Sequence, residues 1–245
     1  MIDLGDIALL AAIAFLGAFI FGLTGFGSSL VTIPLATHLV PLQFALALYA
    51  LGDLVSSFRV GLENPRNAVR AEWIRLVPMI LVGTALGVTV LVNLPRSVGM
   101  FLLGAFVLTY AVYSLFRHPS GRVVSPRWAW IAGLAGGITS TLFGAGGPPY
   151  AIYLSQRGLT KEQFRATLGF ATMTSISLRV AAFLLTGLLL NPEVWIAAAA
   201  VVPAAFFGIA VARRLFMRIS RDTLLRAVTL MLLASGASLV WRAIG

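Results

Sequence analysis

The 245-residue sequence has no cysteine and two histidines. Disulfides, thiolate metal centres, iron–sulfur clusters and thiol nucleophiles are thereby excluded. Neither His38 nor His118 has a second histidine or a carboxylate at ligand spacing, so neither a metal nor any other cofactor is expected. Charge is scarce too. Eighteen Lys+Arg and eight Asp+Glu make up 11% of the chain, under half the roughly one quarter usual in soluble domains. Too few polar groups are present to cover a soluble surface, and the hydrophobicity is too high for a disordered chain. The opening Met-Ile-Asp-Leu-Gly-Asp has no basic segment of the kind that starts a cleavable signal peptide, so none is expected.

Apolar sequence is abundant: 59% of residues are hydrophobic and the mean hydropathy is +0.96. This composition predicts an all-α polytopic membrane protein, with the lipid bilayer as its first partner. The formal net charge of +10 does not signal nucleic acid, because no basic stretch is interleaved with aromatics. The basic residues fall in short gaps between apolar runs, where they orient helices in a bilayer.

Between Asp6 and Asp53 lie 46 residues without a charge. As one helix they would extend ~69 Å, about twice a bilayer core, so the chain must turn. The spacing of Gly and Pro predicts a broken hairpin over 7–40, turning at Gly25-Phe26-Gly27-Ser28, then spans over 42–60, 76–95 and 97–116. A second broken hairpin is predicted over 128–154, interrupted by Gly144-Ala145-Gly146-Gly147-Pro148-Pro149, followed by spans over 164–189, 194–212 and 223–241.

These sets form a repeat, 1–120 and 121–245. At an offset of 120, Gln43-Phe44, Leu48, Ser57 and Arg59 match Gln163-Phe164, Leu168, Ser177 and Arg179. At 125, Val77-Pro78 and Gly83 match Val202-Pro203 and Gly208; at 119, Gly17, Gly25 and Gly27 match Gly136, Gly144 and Gly146. Four gaps (59–75, 117–127, 155–165 and 213–226) hold 15 of the 18 basic residues. All four lie on the cytoplasmic side only if each hairpin dips in and returns. Each half is then a re-entrant hairpin plus three spans. Three is odd, so the halves are inverted and both termini face outward.

Inverted repeats with interrupted helices point to a secondary transporter working by alternating access around a midplane site. Helix N-termini at the hairpin tips offer free N–H groups and positive dipole ends to a small anion. The candidate binding residues are Gly25, Gly27, Ser28, Ser29, Thr141, Gly144, Gly146, Gly147, Pro148 and Arg179. Arg179 sits mid-span with 13 charge-free residues on either side. Two readings stay open for it: an anion ligand, or the partner of Asp53, the one acidic residue deep in a span. Asp53 could also carry a coupling proton, and Arg59 could gate. Arg59 and Glu63 are spaced for an interfacial pair. A channel of the same fold and a non-transporting membrane subunit are the alternatives. An intramembrane serine enzyme is not supported, since no base lies at mid-span.

The motifs Gly25-Phe26-Gly27-Ser28-Ser29 with Pro34-Leu35, and Gly144-Ala145-Gly146-Gly147-Pro148, are similar to those of the TauE/SafE sulfite exporter (DUF81-type) family. The resemblance runs through length, duplication and span order. It implies transport of a sulfur oxyanion or organosulfonate across the inner (cytoplasmic) membrane, with a homodimer as one possible assembly. Ser28-Ser29 stand where family members often continue with glycine.

Overall fold

The computed structural model describes residues 3–24, 27–116, 123–215, 230, 232–234 and 236–241. Among them the regular structure is entirely helical. The first broken segment forms α1 (Leu4–Thr24) and α2 (Ser28–Ala36), followed by α3 (Leu42–Gly61), α4 (Arg70–Asn93) and α5 (Arg96–Phe116). The second forms α6 (Trp128–Phe143) and α7 (Gly147–Leu154), followed by α8 (Lys161–Leu185) and α9 (Pro192–Leu215). The span expected over 223–241 lies largely outside the described residues; those described from 232 onward are helical. Helices α1, α3, α4, α8 and α9 are long and apolar enough to cross a membrane. The chain is an all-α polytopic membrane protein.

The two largest departures of helix ends from expectation each have a local reason. α4 begins at Arg70 rather than 76, because its charged first turns are held by protein. Glu72, 5% exposed, accepts hydrogen bonds from Arg75 at 2.8 Å, from Arg157 at 3.0 Å and from the Tyr153 hydroxyl. Beside this carboxylate the Arg157 guanidinium is held above its ordinary pKa by the hydrogen bond it donates to Glu72, and so stays charged. α8 stops at Leu185 rather than 189, where Gly187 takes a left-handed φ of 82°. Its start is fixed by a capping box between Thr160 and Gln163.

The α6–α7 segment enters and leaves at one end of the molecule. Val124 N–H donates to the Gln156 carbonyl at 3.0 Å, and Arg157 donates to the Val124 carbonyl. α7, with eight residues, is ~12 Å long and too short to cross a bilayer. At this same end α3 finishes and α4 and α8 begin, bringing Arg75, Arg157 and Arg165 together with Glu72 and Glu63.

Packing between the halves is reciprocal. α4 lies parallel to α6, with Gly83 so close that a Cβ would stand 2.3 Å from the Leu134 carbonyl oxygen. α9 lies parallel to α1, where a Cβ on Gly208 would stand 2.4 Å from the Phe15 carbonyl oxygen. Gly83 and Gly208 are counterparts at the 125 offset, Phe15 and Leu134 at the 119 offset. Lipid supplies no hydrophobic drive between helices, so such contact rests on small residues and van der Waals packing. Gly83→Ala and Gly208→Ala should each lower the melting temperature, by the ~1–3 kcal/mol typical of overpacking. Gly5→Ala, whose added Cβ would meet only Asp3 Oδ2 at 3.7 Å, should leave it unchanged.

Candidate functional site

The two helix breaks meet. Between α1 and α2, Gly27 takes a φ of 92°, and α2 starts at once with Ser28 and Ser29. Its first-turn amides have no acceptor within the helix, and Gly27 provides no side-chain cap. Between α6 and α7, Gly144 takes a φ of 72°; its N–H donates to the Ser140 carbonyl and that of Ala145 to the Thr139 carbonyl. α7 then starts at Gly147, with Pro148 in its first turn. A Cβ on Gly144 would lie 2.6 Å from Ser29 Cβ and 3.0 Å from Arg179 Nη1. Only glycine fits this contact in this backbone conformation. The two helix starts are chemically unequal. Pro148 and Pro149 bring no N–H to α7, while the first turn of α2 keeps all its amides and adds two hydroxyls.

At the junction sits an ion pair. Arg179 Nη2 donates to Asp53 Oδ2 at 2.7 Å, with Asp53 6% and Arg179 1% exposed. Asp53 also accepts from Ser28 Oγ at Oδ1 and from Ser29 Oγ at Oδ2, both at 2.6 Å. Its carboxylate therefore occupies the positive N-terminus of α2. Arg179 Nη1 donates to the Ser140 carbonyl at 3.0 Å, and Arg179 Nε is buried without a hydrogen-bond partner. Of the two sequence readings for Arg179, the pair with Asp53 is the contact formed.

A small cleft, with room for about one water-sized molecule, lies against Asp53. Of the residues singled out in the sequence, Gly27, Ser28, Ser29, Asp53, Gly144, Gly146 and Gly147 line it. Arg179 is not on its surface; it lies behind Asp53 and Gly144. Ser140, Tyr150, Thr172 and Ser175 also line the cleft and were not singled out from sequence. The Tyr150 hydroxyl donates to Ser175 Oγ at 3.0 Å. Thr172, Ser175, Ile176 and Arg179 follow helical spacing, so one face of α8 was readable as a polar stripe.

Three expected residues stand elsewhere. Thr141 turns its hydroxyl back to the Gly137 carbonyl at 2.9 Å and packs against Gly87. Pro148 is buried in the first turn of α7, off the cleft surface. Arg59 lies apart, its guanidinium 5.3 Å from the centre of the Phe206 ring. It lines a second, shallow cleft with Glu63 and Arg165, and Glu63 takes an ion pair from Arg165 at 3.3 Å. Gly25 lies outside the described residues, as does His118. Among the described residues no cluster of His, Asp and Glu has the makings of a metal site.

A polytopic helical protein whose broken helices meet over buried charge has the build of a membrane transporter. Comparison with known proteins identifies which kind. The family model described as Sulfite exporter TauE/SafE matches residues 10–239, and the chain belongs to that family. It is 28% identical over 176 residues to the probable inner membrane transporter protein TsaS of Comamonas testosteroni, covering 68% of this chain and 72% of that one. No solved structure matches. Membership makes the chain a membrane transporter, not an enzyme, in a family named for a sulfur oxyanion.

Removing one partner of a buried ion pair leaves an uncompensated charge, a loss of ~3–5 kcal/mol. Arg179→Ala should therefore depress thermal stability sharply, and the double variant Asp53→Ala/Arg179→Ala should recover much of it. The double variant should remain inactive in transport. Recovery of both stability and transport would mean that the pair only holds helices together.

Proposed function

We propose that the protein is a secondary transporter of a small sulfur-containing anion, a sulfur oxyanion or an organosulfonate, in the bacterial inner membrane. The cleft between the two helix breaks is its substrate site. The observation that carries this reading is the meeting there of the two helix breaks, with the α2 N-terminus and the hydroxyls of Ser28 and Ser29 at the cleft and Arg179, with an unused buried Nε, directly behind it. Each group suits an oxyanion: hydroxyls and free amides as donors, and guanidinium as a bidentate clamp. Family membership and the name of the Comamonas relative agree with it.

The two halves act as inverted repeats, each a re-entrant hairpin plus three spans, rocking around this fixed site. Reciprocal glycine packing of α4 on α6 and of α1 on α9 supports the two-fold relation. The gathering of Arg75, Arg157 and Arg165 at one end supports a cytoplasmic assignment for that end, with both termini outside.

Thermal-shift measurements on purified protein test the substrate. Sulfite, methanesulfonate or benzenesulfonate should raise the melting temperature and chloride should not; a ligand at a hundred times its Kd adds about 2.7 kcal/mol. An equal response to chloride would defeat the reading. Topology is tested separately in cells. Cysteine at Asn64 or Ser155 should be shielded from an impermeant thiol reagent outside, and cysteine at Asn191 should react. Labelling at 155 but not at 64 would restore a plain eight-span arrangement.

A further inference from the structure

Arg59 is a charge on an apolar outer surface. On α3 the exposed residues Val55, Phe58 and Leu62 follow helical spacing and form one outward stripe. Arg59 is exposed on that same side, inside the stretch of α3 that is long and apolar enough to cross a membrane. The outward apolar stripe of a spanning helix meets lipid, and a charge there is costly unless something neutralises it.

The protein does not neutralise it. Among the described residues the Arg59 guanidinium makes no ion pair and no hydrogen bond; it rests over the Phe206 ring, 5.3 Å from its centre. Glu63, one turn further along the chain, gives its carboxylate to Arg165 at 3.3 Å. Phe206 and its neighbour Phe207 are themselves exposed on α9. An aromatic face attracts a cation and holds it in place, but does not cancel its charge.

The shallow cleft beside Arg59 has the two-sided character of a lipid. Gly22, Val60 and Ile209 give it an apolar floor, and Arg59, Arg165 and Glu63 give it a charged rim with one positive charge in excess. The pair of Glu63 with Arg165 is long for a charge-assisted bond and both side chains are about one-third exposed. It shares no lining residue with the cleft at Asp53.

We infer that this second cleft binds the phosphodiester headgroup of one anionic phospholipid, from the leaflet at the end of the molecule where α3 finishes. Arg59 is the main clamp and Arg165 the second donor, and an acyl chain lies along the exposed rings of α9. The depth agrees. Arg59 stands six residues beyond Asp53, ~9 Å along the helix axis. With Asp53 at mid-membrane, as in the reading above, its backbone is about 6 Å short of the edge of the hydrocarbon, a gap that an arginine side chain spans by snorkelling. A guanidinium presents two parallel N–H groups to a phosphate, which a phosphodiester accepts and a choline or ethanolamine group does not. A basic pocket between spanning helices at headgroup level is suited to such a ligand. The lipid would join α3, α8 and α9 at that end, so its binding should also stabilise the fold.

Native mass spectrometry and thermal melting of the full chain in detergent test this, with dioleoylphosphatidylglycerol as the probe and dioleoylphosphatidylcholine as the uncharged comparison. Phosphatidylglycerol should be retained in preference to phosphatidylcholine and should raise the melting temperature. Arg59→Ala should weaken its binding about fivefold, the share of one basic residue at a lipid surface. Arg127→Ala removes the same charge from an exposed position outside the cleft and should leave binding unchanged. Glu63→Gln removes the competing carboxylate and should tighten it, an effect that a merely structural role for Arg59 does not produce. Equal retention of the two lipids, an equal loss in Arg127→Ala, or weaker binding in Glu63→Gln would overturn the inference. Soluble anions separate the source of the phosphate. Inorganic phosphate, glycerol 3-phosphate and methanesulfonate should not displace the lipid at millimolar concentration; displacement that Arg59→Ala abolishes would make the cleft a site for water-soluble anions and overturn the lipid assignment. If Arg59→Ala does not fold, the wild-type preference between the two lipids and the soluble competitors decide. Failure here leaves the transporter reading intact, because sulfite and sulfonate binding at the Asp53 cleft is measured separately.

Discussion

A carboxylate and a guanidinium, each almost wholly withdrawn from solvent, set the terms for the rest of this molecule. Neither Asp53 nor Arg179 is tolerable alone in a low-dielectric interior. Together they require two helices, α3 and α8, to cross where both side chains reach one point. They also require donors for the oxygens that the salt bridge leaves over. Ser28 and Ser29 provide them, which is possible because α2 begins there and not a turn earlier or later. The break in the helix and the buried charge are thus one feature. Interrupted backbone needs polar company inside a membrane, and the pair needs hydrogen-bond donors.

Around that centre, close approach is obtained by omission of side chains. Gly83, Gly87, Gly133 and Gly137 let the backbones of α4 and α6 touch, and Gly22 and Gly208 do so for α1 and α9. At the tips the same device has a second purpose. Gly144 in a left-handed conformation admits both Ser29 and the Arg179 head. A methyl group there would separate the two breaks and uncover the pair.

The membrane class, most span positions and both breaks were legible in the sequence, because apolar run length, proline and glycine report directly on what a bilayer permits. The family was legible too, from the two glycine motifs. Arg179 and Asp53 stood out because an isolated charge in an apolar run is costly wherever it points. What was hidden is mostly tertiary. Ser140 and Thr141 are neighbours of similar chemistry, and only the roll of α6 against Gly87 decides that Ser140 meets the cleft. Glu72 carried no signal in the sequence; its bonds to Tyr153 and Arg157 span more than eighty positions along the chain. Arg59, which matches Arg179 at the 120 offset, shows the limit of reading by sequence offset. It occupies a corresponding place in the sequence and a different environment, because α8 extends well beyond the level at which α3 ends.

The cross-over seating of the helices has a bearing on biogenesis. α1 leaves the ribosome well before its close-packed neighbour α9. Until α9 arrives, the face of α1 around Phe15 and Ala18 lacks its glycine-seated neighbour, and until α8 arrives Asp53 lacks Arg179. Each seam therefore joins helices far apart in the chain, and a chain interrupted before α9 would leave the α1 seam open.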